Sequence, residues 1–260
     1  MGVKIDKTGK IGYNNFGSKI IITKYINAHN VDIYFPEYNW TARNTRYEVF
    51  KKGNIRCPYE PRIYNHGYLG EGKYKVSENK KLTKCYSAWN GMLRRCYDNK
   101  YKEKHLTYED CEVCDEWLNI QNFGVWFDEN YYEIKDGIMC LDKDILHKDN
   151  KIYSPENCVF VPHNINVLFT KRDNYRGEYP IGVCYNKRDG NFASYCSIYN
   201  FEENKSKSKH LGYYNTPQQA FSAYKQFKEQ YIKQVADYYK DQIPQELYNA
   251  LYNYEVDIDD

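Results

Sequence analysis

The sequence predicts an α+β protein assembled from small modules, and three observations carry that prediction. β-rich runs crowd the N-terminal part, apolar stripes at helical spacing fill the middle, and a strand–strand–strand–helix pattern closes the chain. A length of 260 residues allows two or three small domains, each with a modest core. The expected order is a small β-barrel-like module (1–58), a linker (59–80), a central hairpin-and-helix domain (81–172) and a C-terminal domain (173–260) of three strands and a helix.

In the first segment, Ile20 to Tyr25 and Val31 to Phe35 are β-rich, with polar turn residues Asn27 to Asn30 between them. A third run, Tyr47 to Phe50, is closed by Lys52-Gly53-Asn54 and is read as a strand. Short strands at this spacing suggest a small barrel or curled sheet. Nothing in the segment carries chemistry, so an accessory binding module and a structural appendage stand as equal readings. Residues 59–80 gather Pro61, Gly67, Gly70 and Gly72, the composition of a linker or an ordered loop.

Helical patterning starts near Thr83. Tyr86, Trp89, Met92, Leu93 and Cys96 recur at three- and four-residue steps and form an apolar stripe. A second helix is predicted from about Cys114 to Asn130, burying Trp117, Ile120, Phe123, Trp126 and Phe127. Aromatic stripes of this kind are core rather than cofactor contacts. The block from Met139 to Phe169 then reads as strand, polar loop, strand and helix. Leu141 leads into a turn at Asp142, Lys148 to Lys151 form the loop tip, Val159 to Val161 form the second strand, and Pro162 opens a helix.

Past Tyr179, three strands are predicted at Ile181–Tyr185, Phe192–Tyr199 and Lys207–Tyr213, the first two joined by a turn at Asp189-Gly190. A helix follows with Thr216 as N-cap and Pro217 at its first position. Its apolar face is Ala220, Phe221, Ala223, Tyr224, Phe227, Tyr231 and Val235. A short amphipathic helix carrying Leu247 and Leu251 precedes the acidic end, Asp257 to Asp260.

Composition narrows the function classes. A formal charge of +2 leaves any nucleic-acid affinity to local patches, and 30 tyrosines supply rings that can fill cores or stack on bases. No apolar run reaches the length of a membrane span, which argues against a membrane partner. Nine cysteines without a secretory signal suggest a reduced, cytoplasmic setting. Cys111 and Cys114 have zinc-ligand spacing, but no second CxxC follows. A Zn2+ site would need Cys96, Cys140 or Cys158 brought near by folding, and buried thiols are the competing reading.

Asp142 at the start of a hairpin, Asn157 before its second strand and Asn166 in the following helix could converge on a divalent cation beside a phosphate. Seen alone, Ser-Pro-Glu-Asn is turn-like in any protein. Together with Leu141-Asp142 and Asn166, however, the run Tyr153-Ser-Pro-Glu-Asn-Cys158 resembles the HNH endonucleases, whose ββα-metal site cuts DNA. The resemblance implies Mg2+ or a similar cation held by Asp142 and Asn166, with Asn157 organising the loop. Lys143 stands where that family carries its general-base His. A free lysine is protonated at neutral pH and cannot take a proton from water. Three readings follow: Lys143 stabilises phosphate charge, His147 or His163 replaces the missing base, or catalysis is lost and DNA binding remains.

The C-terminal segment is similar to the ethylene-response-factor type of DNA-binding domain. The matching pieces are Ile181-Gly182-Val183, Asn191-Phe192-Ala193, His210 to Thr216 and Ala220 to Tyr224. That resemblance implies a sheet lying on double-stranded DNA. Lys187, Arg188, Tyr195, Lys207 and Lys209 are the candidate contacts, with Lys205, Lys171, Arg172 and Arg176 nearby; a merely solvated basic face is the alternative. The combined expectation is a phage-encoded homing or nicking endonuclease acting in the host cytoplasm. The alternative is a non-catalytic phage DNA-binding protein or an inhibitor of a host defence protein.

Overall fold

The computed structural model describes residues 5–135, 137–169, 178–200 and 205–258. The protein is α+β. The chain divides into two compact units, residues 1–127 and 128–260. That division falls inside the stretch 81–172 expected as one domain.

In the first unit, β1 (Ile11–Tyr13), β2 (Lys19–Asn27), β3 (Asn30–Phe35) and β4 (Trp40–Thr45) form an antiparallel meander in sequence order. Its ends do not pair with each other among the described residues, so the sheet is open rather than a closed barrel. β3 alternates strictly, sending Val31, Ile33 and Phe35 into a core with Ile20 and Ile22. The run Tyr47–Phe50, expected as a strand, is instead the start of helix α1 (Tyr47–Lys52). Gly53 decides this: at φ 63 it caps the helix, its N–H donating to Phe50 O (3.1 Å). A Cβ there would lie 2.8 Å from Asn15 Oδ1 and 2.9 Å from Tyr13 O. On its side away from β2, β3 pairs instead with β4, reached through a 3-10 turn at Pro36–Tyr38.

Residues 59–80 form an ordered loop rather than a free tether. Gln121 Nε2 donates to Leu69 O (2.8 Å) and Tyr74 O (3.0 Å), and Tyr68 N donates to Leu118 O (2.9 Å). The hairpin β5 (Ser77–Glu78) and β6 (Lys81–Leu82) then leads to α2 (Lys84–Tyr97). Thr83 caps α2 by accepting from Tyr86 N (3.1 Å), and the predicted stripe of Trp89, Met92, Leu93 and Cys96 is buried. After α3 (Asn99–Lys102) and β7 (Glu112–Val113), the predicted second helix is split. A 3-10 turn at Asp115–Leu118 holds Trp117, Asn119 breaks the chain in extended conformation, and α4 (Ile120–Asn130) follows. Asn119 Oδ1 accepts from Gln121 N (2.9 Å), which restarts the helix.

In the second unit, β8 (Met139–Asp142) pairs with β10 (Val159–Pro162), and the short β9 (Ile152–Tyr153) lies in the chain between them. Only one turn of α-helix follows, α5 (His163–Asn166), before a 3-10 turn at Val167–Phe169. Strands β11 (Val183–Asn186), β12 (Asn191–Asn200) and β13 (Lys205–Tyr214) form an antiparallel sheet in that order, backed by α6 (Pro217–Tyr239); α7 (Gln245–Tyr252) packs on α6. One core serves both parts of this unit. Val159, Val161 and Ile165 of the hairpin-helix block pack with Ile232, Val235, Leu247 and Leu251 from α6 and α7. Packing therefore continues across 172/173, where the sequence suggested a domain boundary.

Candidate functional site

Asp142 ends β8, and the antiparallel register sets it opposite Val159. Its Oδ1 accepts two backbone hydrogen bonds at 2.8 Å, from the N–H groups of Asp144 and Ile145. This is the local turn that a short acidic side chain makes at the end of a strand. The residue keeps some surface, but the carboxyl itself is enclosed. Burial pushes it above the usual carboxylate range, and the two N–H bonds pull only partly the other way. A positive partner at the second oxygen would favour the ionised form. Hard oxygen donors from a carboxylate and an amide suit a cation such as Mg2+. Asn166, the amide expected to share that role, is half-buried at the end of α5, the helical turn that packs on β8 and β10.

Lys143 turns into the loop. It is 4 % exposed, and its ammonium donates to the Asp144 carboxylate and to Asn150 O (2.6 Å), 5.9 Å from the centre of the Tyr153 ring. Its amine is thus committed to holding the loop closed. His147 is exposed in the same loop, and its carbonyl accepts from Asn150 N (3.1 Å). His163 is also exposed, with Nδ1 3.7 Å from Cys140 Sγ.

The loop's central clamp is Asn150, which the sequence reading left in a polar tip. Its Nδ2 donates to Lys143 O (2.9 Å) and Ile152 O (2.8 Å), and its Oδ1 accepts from Ile152 N (3.2 Å) and Asn157 Nδ2 (3.3 Å). Every donor and acceptor position of the amide is used. Asn157 also donates to Ile152 O (3.4 Å), so its contacts run to the loop. The available signal was Asp149-Asn150 itself, with Asp149 in the left-handed region at φ 63.

Cys111 Sγ donates to Thr107 O at 3.7 Å, and among the described residues no group of three or more His, Cys, Asp or Glu side chains stands together as a metal set.

The C-terminal sheet separates residues that the sequence had grouped. Cys196 pairs with Lys209, and Cys196 is buried with Phe221 and Tyr224 of α6. Paired residues share a face, and Lys209 Nζ lies over the Phe227 ring at 4.6 Å. Ile198 pairs with Lys207 and packs into the shared core. Lys207 and Lys209 are therefore exposed on the helix side of the sheet rather than beside Tyr195. The opposite face carries Tyr195, His210 and Tyr213, with ring centroids 4.9 Å apart for Tyr195–His210 and 4.6 Å for His210–Tyr213. Tyr195 is 37 % and Tyr213 56 % exposed. A bulge that adds Leu211 to β13 sets this alternation. Lys187 and Arg188 sit at the β11–β12 turn, where the Arg188 side chain makes an exposed 3.8 Å pair with Asp189 and its backbone N–H donates to Asn186 Oδ1 (3.2 Å). Lys171, Arg172 and Arg176 lie outside the described residues.

A cleft of about 470 Å3 opens between α5 and the C-terminal sheet. Lys228 of α6 lines it and is 9 % exposed. Burial pushes its ammonium below the usual lysine range. Sequence reasoning passed over Lys228, although it sits between Tyr224 and Tyr231 on the apolar stripe of α6, where a charge is out of place. Compared with known proteins, the chain matches no family model, no curated protein and no solved structure.

Proposed function

We propose that the chain is a metal-dependent DNA endonuclease of the ββα type that nicks or cuts double-stranded DNA. One observation carries the reading: Asp142 ends a strand paired with β10, α5 follows directly, and Asn157 and Asn150 tie down the loop between the strands. That frame is what a single-cation phosphodiester site needs. A divalent cation, when bound, supplies positive charge against the charge developing on the phosphate. Asp142 and Asn166 are the residues to hold it. Lys143 fixes the loop through Asp144 and Asn150, and the exposed His147 remains the candidate base. Tyr195, His210 and Tyr213 offer rings and polar tips that can pack against the sugars and groove of the duplex, with Lys187 and Arg188 at the rim for phosphates.

A second reading, a non-catalytic DNA binder or an inhibitor of a host defence protein, draws on Lys143. The position directly after Asp142 holds a committed ammonium in place of a base. Supercoiled plasmid with Mg2+ separates the two readings. Nicking by the wild type that disappears in Asp142→Ala supports the endonuclease. Nicking by both proteins removes Asp142 from the site, and nicking by neither favours the binder.

A further inference from the structure

We infer that the cleft between α5 and the C-terminal sheet is a binding site for a phosphomonoester carried on a planar or apolar body, of the size of a mononucleotide. Lys228 is the anchoring observation. It is nine-tenths buried, and no hydrogen-bond acceptor or carboxylate pairs with it among the described residues; the neutral Cys196 thiol is its neighbour. A buried ammonium left this way is costly, and an anion arriving in the cleft would relieve the cost. His163 and Asn164 line the same space. The Asn164 amide is hydrogen-bonded to the Tyr239 hydroxyl, so the exposed His163 is the residue beside Lys228 that can add a donor to a phosphate. Ile138, Val167, Leu168 and Ile198 provide apolar wall for the rest of the ligand. A volume of about 470 Å3 lies within the range of small-ligand sites. The inference stands apart from the endonuclease reading, since it uses none of Asp142, Asn157 or Asn166.

Such a head group has two sources, a free nucleotide and a 5′-phosphorylated DNA end. The test is titration calorimetry on the full chain with AMP, inorganic phosphate and short oligonucleotides. AMP should bind more tightly than inorganic phosphate, which cannot use the apolar wall. Lys228→Met, which keeps the stem and removes the charge, should weaken AMP binding by about tenfold or more. Displacement of AMP by a 5′-phosphorylated oligonucleotide, but not by its unphosphorylated twin, would assign the head group to a DNA end. Failure of both to displace it assigns the head group to a free nucleotide. A second variant guards against a folding defect in the first: Ile138→Glu, at a position 72 % exposed, puts a carboxylate at the rim and should also weaken AMP binding. Wild-type protein that does not bind AMP, or equal affinity in wild type and either folded variant, overturns the inference.

Discussion

Asn150 should matter more to the stability of the hairpin loop than Asn157, although only Asn157 stands out in the sequence. Asn150→Ala removes two donated bonds of 2.9 and 2.8 Å and two accepted bonds of 3.2 and 3.3 Å. Asn157→Ala removes two long bonds, 3.3 and 3.4 Å, one of them shared with Asn150. A typical intramolecular hydrogen bond contributes about 1 kcal/mol net. Water can replace part of this in a half-buried loop, so Asn150→Ala should cost roughly 2–3 kcal/mol and Asn157→Ala about 0.5–1 kcal/mol. The Lys143 bond to the Asn150 carbonyl survives either change, because it uses main chain. Urea unfolding reads the difference: at a slope of about 2 kcal/mol per M, the midpoint should fall by about 1 M for Asn150→Ala and by under 0.5 M for Asn157→Ala. The slope itself should not change. An Asn157→Ala protein as destabilised as Asn150→Ala, or an Asn150→Ala protein with the wild-type midpoint, would refute the clamp.

Three further outcomes are expected. Asp142→Asn keeps an acceptor for the Asp144 and Ile145 N–H groups, so its stability by urea unfolding should stay within about 1 kcal/mol of wild type, while the Mg2+-dependent nicking proposed for the wild type should be lost. Lys228→Met should be more stable than wild type near neutral pH, measured by thermal unfolding with no ligand added. Because burial lowers the Lys228 pKa in the fold, the folded state binds fewer protons than the unfolded chain between the two values. Wild-type stability therefore rises as pH climbs from the lowered value toward the ordinary lysine range, and the advantage of Met should shrink along that climb. Gly182→Ala should cost about 2 kcal/mol or more in chemical denaturation: φ is +77 and the added Cβ would lie 2.1 Å from Tyr224 Cδ2.

The sequence made the fold class and most elements legible where packing follows a simple period. The stripe of α2 and the Thr216-Pro217 start of α6 were visible because caps and apolar spacing are local properties. Tyr47–Phe50 misled because a four-residue run with apolar residues at Tyr47, Val49 and Phe50 suits either state, and the glycine closing it acts through contact with a distant turn. At the candidate site, the paired strands could be anticipated from the apolar runs on either side of the polar tip. The burial of Lys143 could not, since it depends on a carbonyl seven residues away in a folded loop. Likewise, counting along β13 gave a basic cluster but not its side. The face shown by Lys207 and Lys209 is fixed by tertiary packing of Cys196 and Ile198 against α6.

The common core of the second unit has a consequence for how this protein can be taken apart or have evolved. Val161 and Ile165 have no complete apolar lining of their own; α6 and α7 supply the missing wall. Cutting the chain near 172 would leave both fragments with raw, aggregation-prone surfaces rather than two working parts. The hairpin and the C-terminal sheet therefore stand or fall as one folded body.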